Sequence, residues 1–106
     1  MEIQQHQQLI RVLQEDFLDK PAGVHFTQWD TDDEDEEVTQ FCGELKELRL
    51  TDNEFGEKDL LLLFSLEEGE SVEILMEIPK EEEDLAAYAD GRLSIFGTEA
   101  ELVLER

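Results

Sequence analysis

Apolar residues recur at helical spacing near the start of the chain and at two-residue spacing through most of the remainder. Ile3, Ile10 and Phe17 fall seven apart, and Leu9 and Leu13 widen the same stripe. Gln4, Gln7, Arg11, Gln14 and Glu15 occupy the opposite side. That pattern predicts an amphipathic helix over residues 2–18. Pro21 and Gly23 stop it, and Lys20 stands where the negative end of the helix dipole favours a cation.

Residues 24–29 suit a short strand. The next eight, 30–37, hold seven carboxylates and one threonine. Like charges at that density repel one another and resist burial, so 30–37 reads as a mobile loop. Residues 41–50 form the next strand candidate. Its apolar phase switches between Leu45 and Leu48, which predicts a bulge or bend near Lys46 and Glu47. Residues 51–58, with Asp52, Asn53 and Gly56, read as a connecting loop.

Residues 59–66 are apolar on both alternations, the pattern of a strand covered on both faces. Glu67, Glu68, Gly69 and Glu70 supply a hairpin turn into a strand over 71–78. There Val72, Ile74, Met76 and Ile78 face one way, while Ser71, Glu73 and Glu77 face the other, interrupted by Leu75. Pro79 ends that strand. Glu81 to Asp84 places negative charge at the start of a short helix predicted to run to about Ala89. Asp90 and Gly91 make a turn, and two last strands, 92–96 and 99–104, join around Gly97.

The expected fold is α+β: an N-terminal helix packed on an antiparallel sheet or small barrel of about five strands, with a short inserted helix. A chain of 106 residues fits a single domain, 1–106, large enough to bury a core without disulfides or metals.

Charge adds what periodicity does not show. Eight basic side chains against 30 acidic ones set the formal charge at −22. Such a surface repels phosphates and anionic lipid headgroups, which argues against direct nucleic-acid binding and against a membrane partner. The longest apolar run, 60–64, is far shorter than the ~20 residues of a membrane span. The polar, glutamine-rich residues 1–8 do not resemble a signal peptide, so a cytoplasmic location is expected.

Candidate chemistry is sparse. The acidic run lacks glycine at the sixth position of a calcium loop, where Val38 stands, so no metal is assigned. His6, within the apolar stripe, reads as a packed core-edge residue, and His25 as an ordinary histidine upstream of the acidic run; neither has zinc-ligand spacing. The lone cysteine, Cys42, lacks the electropositive setting and neighbouring base that a reactive thiol needs, and a partly buried apolar role is expected. Neither phosphate loop nor cofactor motif occurs, and carboxylate pairs are too common here to mark an acid/base dyad. The expectation is therefore no enzyme activity and no cofactor. Phe26, Trp29 and Phe55 are read chiefly as caps on the core beneath the loops, with an interface anchor as the alternative.

These readings converge on a non-enzymatic, acidic interaction or regulatory protein that binds a basic protein surface; nucleic-acid mimicry or inhibition of a basic partner is one form of it. The expected partner-binding residues are Asp30, Asp32, Asp33, Glu34, Asp35, Glu36 and Glu37, together with Glu81, Glu82, Glu83 and Asp84. The alternative is a structural or homo-oligomeric module whose acidity serves only solubility.

Overall fold

In the computed structural model the backbone is described for all residues but 31 and 32, and side chains for all but 30–35. Among the described residues are eight strands and one short helix, in the order β1 (Glu2–Ile3), α1 (His6–Val12), β2 (Pro21–Asp30), β3 (Asp33–Asp52), β4 (Lys58–Ser65), β5 (Ser71–Ile78), β6 (Ala86–Ala89), β7 (Arg92–Phe96) and β8 (Ala100–Glu105). The strands form one sheet ordered β1-β6-β7-β8-β2-β3-β4-β5. Every neighbouring pair is antiparallel. Strands make up 60% of the chain, which overturns the expected helix on a five-stranded sheet.

Three local readings are corrected. The helix does not begin at residue 2, because Ile3 is drawn into a ladder with β6, opposite Ala86. Its seven-residue spacing from Ile10 is therefore not a helical contact. α1 continues as a π-helical turn, Leu13–Phe17, closed by the Leu18 N–H donating to the Leu13 carbonyl at 2.9 Å. Alone, so short a helix would be marginal in water. Burial of Leu9, Leu13 and Phe17, each at most 1% exposed, holds it in place.

The inserted helix over 81–89 is absent. Ala86–Ala89 pairs with Arg92–Phe96 as a hairpin instead. Its turn, Asp90 and Gly91, has positive φ at both residues (52° and 78°), the twist that suits a two-residue hairpin loop. Alanine's helix propensity amounts to only a few tenths of a kcal/mol per residue, so sheet pairing and burial of Ala86 prevail. Third, the acidic loop is narrower than expected. Gln28 pairs with Glu37, Trp29 with Glu36 and Asp30 with Asp33, so 33–37 belong to β3.

β3 builds the curvature. Its first part pairs with β2 as far as Glu44, and its second part pairs with β4 from Glu44 onward. The register shifts between Leu45 and Glu47, at the bulge the apolar phase switch predicts. The chain leaving the π turn fills the gap there: Asp19, at φ 62°, donates its N–H to the Leu45 carbonyl at 2.8 Å. The hairpin of 59–66 with 71–78 is present as β4 and β5, with β4 inside the sheet.

Curling brings the two ends of the sheet together over one core. Inward residues from β4 (Leu60, Leu62, Phe64), β5 (Ile74, Met76, Ile78), β7 (Leu93, Ile95) and β8 (Leu102, Leu104) join Leu9, Leu13 and Phe17 of the helical segment. The β7–β8 turn then abuts β5, where Thr98 N–H donates to the Glu77 carbonyl at 3.0 Å. Gly97 sits so close that a Cβ there would lie 2.7 Å from that carbonyl oxygen.

Candidate functional site

The two acidic segments differ in how they are held. Backbone pairing places Asp30, Asp33, Glu34, Asp35, Glu36 and Glu37 at the far end of the β2–β3 hairpin. Asp32 lies outside the described residues, and of this group the described side chains, Glu36 and Glu37, are exposed.

Glu81, Glu82, Glu83 and Asp84 are exposed between β5 and β6, yet the backbone beneath them is anchored. Leu85 is fully buried, and its N–H donates to the Ile3 carbonyl at 3.0 Å. Asp84 N–H donates to Gln4 Oε1 at 2.9 Å, and Gln4 Nε2 returns a bond to Asp84 Oδ1 at 3.3 Å. His6, 7% exposed, places Nε2 2.8 Å from the Pro79 carbonyl and Nδ1 3.7 Å from Glu82. The buried histidine thus ties the first turn of α1 to the acidic segment, as its place in the apolar stripe suggests.

Cation pairing leaves the surface negative. Lys46 lies 2.8 Å from Glu44 and 3.2 Å from Asp19, and those carboxylates raise its pKa. Lys58 donates to Asp52 at 2.6 Å and holds that carboxyl below its ordinary value. Arg49, Arg92 and Arg106 also meet carboxylates. Eight cations cannot neutralise thirty carboxylates whatever their pairing, and residues 59–79 contain no lysine or arginine at all.

Among the several concave regions of the described residues, one brings exposed apolar and acidic side chains from distant strands together. A shallow cleft of about 220 Å³ runs between β5 (residues 75–77) and the end of β2 (Phe26, Gln28, Trp29), floored by residues 98–100 of the β7–β8 turn. Phe26 is buried, Trp29 is 38% exposed and Leu75 is 57% exposed. Glu77 accepts from Thr98 Oγ1 at 2.9 Å and from Asn53 Nδ2 at 3.0 Å, while Glu99 stands exposed beside it. The turn and the strand end before it bond next to both acidic segments: Trp29 N–H, just before Asp30, donates to the Glu99 carbonyl, and Phe96 N–H to the carbonyl of Leu85, just after Asp84.

The sequence singled out Trp29 and Phe26 but missed Leu75, Glu77 and Glu99. The available signal was Leu75 itself, the apolar residue that breaks the polar alternation of 71–78. Of the other candidates, Phe55 is 76% exposed at the tip of the β3–β4 loop, and His25 is exposed on β2. Cys42 is exposed rather than partly buried, because Phe41 and Leu45 take the inward alternation and Cys42 falls on the other. Among the described residues no three His, Cys, Asp or Glu side chains gather as a metal site would require, and no helix is long and apolar enough to cross a membrane. No protein-family model, curated protein or solved structure matches the chain.

Proposed function

We propose that the protein is a non-enzymatic interaction or regulatory protein that engages a basic partner protein through its carboxylates, with mimicry of a nucleic acid as one form of that role. The carrying observation is a charge of −22 displayed partly on segments whose backbone is fixed, above all residues 81–84. Fixed charge steers encounter and orients the partner, and it loses less freedom on binding than a flexible tail would.

Single exposed charges contribute little, so the test alters several together. One variant converts Asp32, Asp33, Asp35 and Glu36 to amides, and a second converts Glu81, Glu82 and Glu83. Both should release partners that the wild type captures from lysate at low salt. Capture by the wild type should also fade above about 0.5 M salt, where the screening length falls to roughly 4 Å. Partners that are the same for all three proteins and insensitive to salt would reduce the acidic surface to a solvated coat.

A further inference from the structure

β5 closes one end of the sheet and pairs only with β4 among the described strands. In an antiparallel pair, backbone groups of alternate residues point toward the partner and away from it. Two contacts fix which residues point away. Beyond the hairpin turn, Leu66 N–H donates to the Glu70 carbonyl, which places Val72, Ile74, Met76 and Ile78 on the β4 side. At the other end, the Glu77 carbonyl accepts from Thr98, so it faces outward. Glu73 and Leu75 share that outward parity, and among the described strands none takes up their N–H and C=O groups.

The surroundings of this free edge are specific. Leu75 and Trp29, both exposed, share the cleft beside it. On the outer face of the sheet Leu61 lies opposite Leu75 and Leu63 opposite Glu73, and both leucines are only half-buried. Proteins commonly guard such edges with lysine. Here Glu73 and Glu77 stand along it instead, on a stretch without any cation. A second copy added antiparallel about Leu75 would set Glu73 against Glu77 of its twin, and like charges directly opposite one another are unfavourable.

We propose that the outer edge of β5 is a docking edge for an extended segment of a basic partner protein, one that carries a cation, an apolar residue and a second cation at every other position, so that all three fall on the face shared by Glu73, Leu75 and Glu77. The segment adds to the sheet as a ninth strand, by main-chain hydrogen bonds at Glu73 and Leu75. Its apolar residues cover Leu75 and Trp29, and its cations meet Glu73, Glu77 and Glu99. Thr98, already bonded to Glu77, marks where the added strand must end. This inference rests on the proposed reading of a basic partner and specifies how that partner is held.

The test uses the full chain with a ten-residue peptide that repeats lysine, serine, valine and serine, the same peptide with every amide N-methylated, and polylysine as a bare charge probe. Amide exchange is followed residue by residue. Saturating peptide should slow exchange at Glu73 and Leu75 by about tenfold or more, while Val72, Ile74 and Met76, bonded within the sheet, change little. The N-methylated peptide, which cannot donate, should bind at least about tenfold more weakly at equal charge.

Glu73→Pro removes the outward N–H without removing a bond to β4, and it should weaken the peptide well beyond Glu73→Gln, which removes the same charge but keeps the N–H, with the melting temperature nearly unchanged. If the proline variant does not fold, the two peptides still decide the matter on the wild type. Equal binding of both peptides with no protection at Glu73 and Leu75 overturns the docking edge and leaves the basic-partner reading standing. Failure of the peptide and polylysine alike overturns both. Protection at these two amides that grows with protein concentration in the absence of peptide overturns the basic segment and assigns the edge to a second copy.

Discussion

Single side chains and single backbone atoms set the tightest constraints in this molecule. Gly97 is the clearest case. A Cβ there would meet the Glu77 carbonyl oxygen at 2.7 Å, Met76 Cε at 2.8 Å and the Ala100 carbonyl oxygen at 2.9 Å. Two of those atoms are backbone, so relief requires the β7–β8 turn to move away from β5. Gly97→Ala should therefore destabilise by about 1–3 kcal/mol in denaturant melts, despite replacing glycine with a residue of lower chain entropy. It should also widen the cleft beneath Trp29, visible as a shift in tryptophan fluorescence. Gly56→Ala meets no atom within 4 Å and isolates the cost of positive φ alone.

The Asp52–Lys58 pair supplies a pH signature with a definite sign. Hydrogen bonding to Lys58 at 2.6 Å lowers the Asp52 pKa from its ordinary 3.8. A carboxyl that binds its proton less readily when folded contributes stability fully above its unfolded pKa. That contribution disappears as pH falls through the lowered folded value. Wild type should thus exceed Asp52→Asn in melting temperature at neutral pH by a small margin, since the pair is exposed, and the margin should close in strong acid. Lys46 behaves oppositely: Glu44 and Asp19 raise its pKa, so its contribution is full below 10.5 and is lost at still higher pH.

At the scale of elements, alternation along β4 gives a direct comparison. Leu62 is fully buried and Leu61 is half-buried on the outer face. Leu62→Ala should cost about 2–5 kcal/mol, and Leu61→Ala should cost much less because solvent already reaches its side chain. Comparable losses at both positions, measured in urea, would mean that the outer face is covered in solution. Phe17→Ala should fall in the range of about 3–5 kcal/mol, as its ring is buried against the core and edge-on to Tyr88 at 6.0 Å.

These elements also show what a sequence can specify. Turns and bulges were legible because their signals are local: Asp90 and Gly91 for the hairpin, the phase switch at Lys46, and Glu67 to Glu70 between β4 and β5. Ile3 misled because two residues carry no period, and only the distant Ala86 turns them into a strand. Ala86–Ala89 misled because alanine suits a helix locally, whereas β7 beside it decides otherwise. The carboxylates of 33–37 argue against burial, but a strand in a hairpin can pair its backbone while its side chains stay exposed, as Glu36 and Glu37 do. The cleft was beyond local reach altogether. Trp29, Leu75 and Glu99 come from three separate parts of the chain, and which strand ends at the sheet's edge is settled only by the complete order.

For the molecule as a whole, the balance lies between diffuse repulsion and the ion pairs that relieve it. The ion pairs involving lysine and arginine lie mostly at exposed positions, where each contributes little and is weakened by salt. Against them stands a net −22 confined to a fold with a radius of gyration of 13.3 Å. The unfolded chain spreads the same charge over roughly twice that radius, so repulsion weighs more heavily on the folded state. Added sodium chloride screens repulsion and attraction alike, and the sign of its effect reports which is larger. At neutral pH the melting temperature should rise steadily from about 0.02 to 0.5 M salt, as the screening length falls from roughly 20 to 4 Å. Most of the gain should come early, when screening first cuts contacts across the molecule. The amide variant at Asp32, Asp33, Asp35 and Glu36 should start from a higher melting temperature and gain less from salt, because four of the repelling charges are gone. A melting temperature that falls with salt in the wild type would show instead that the short ion pairs at Lys46 and Lys58 outweigh the field around them.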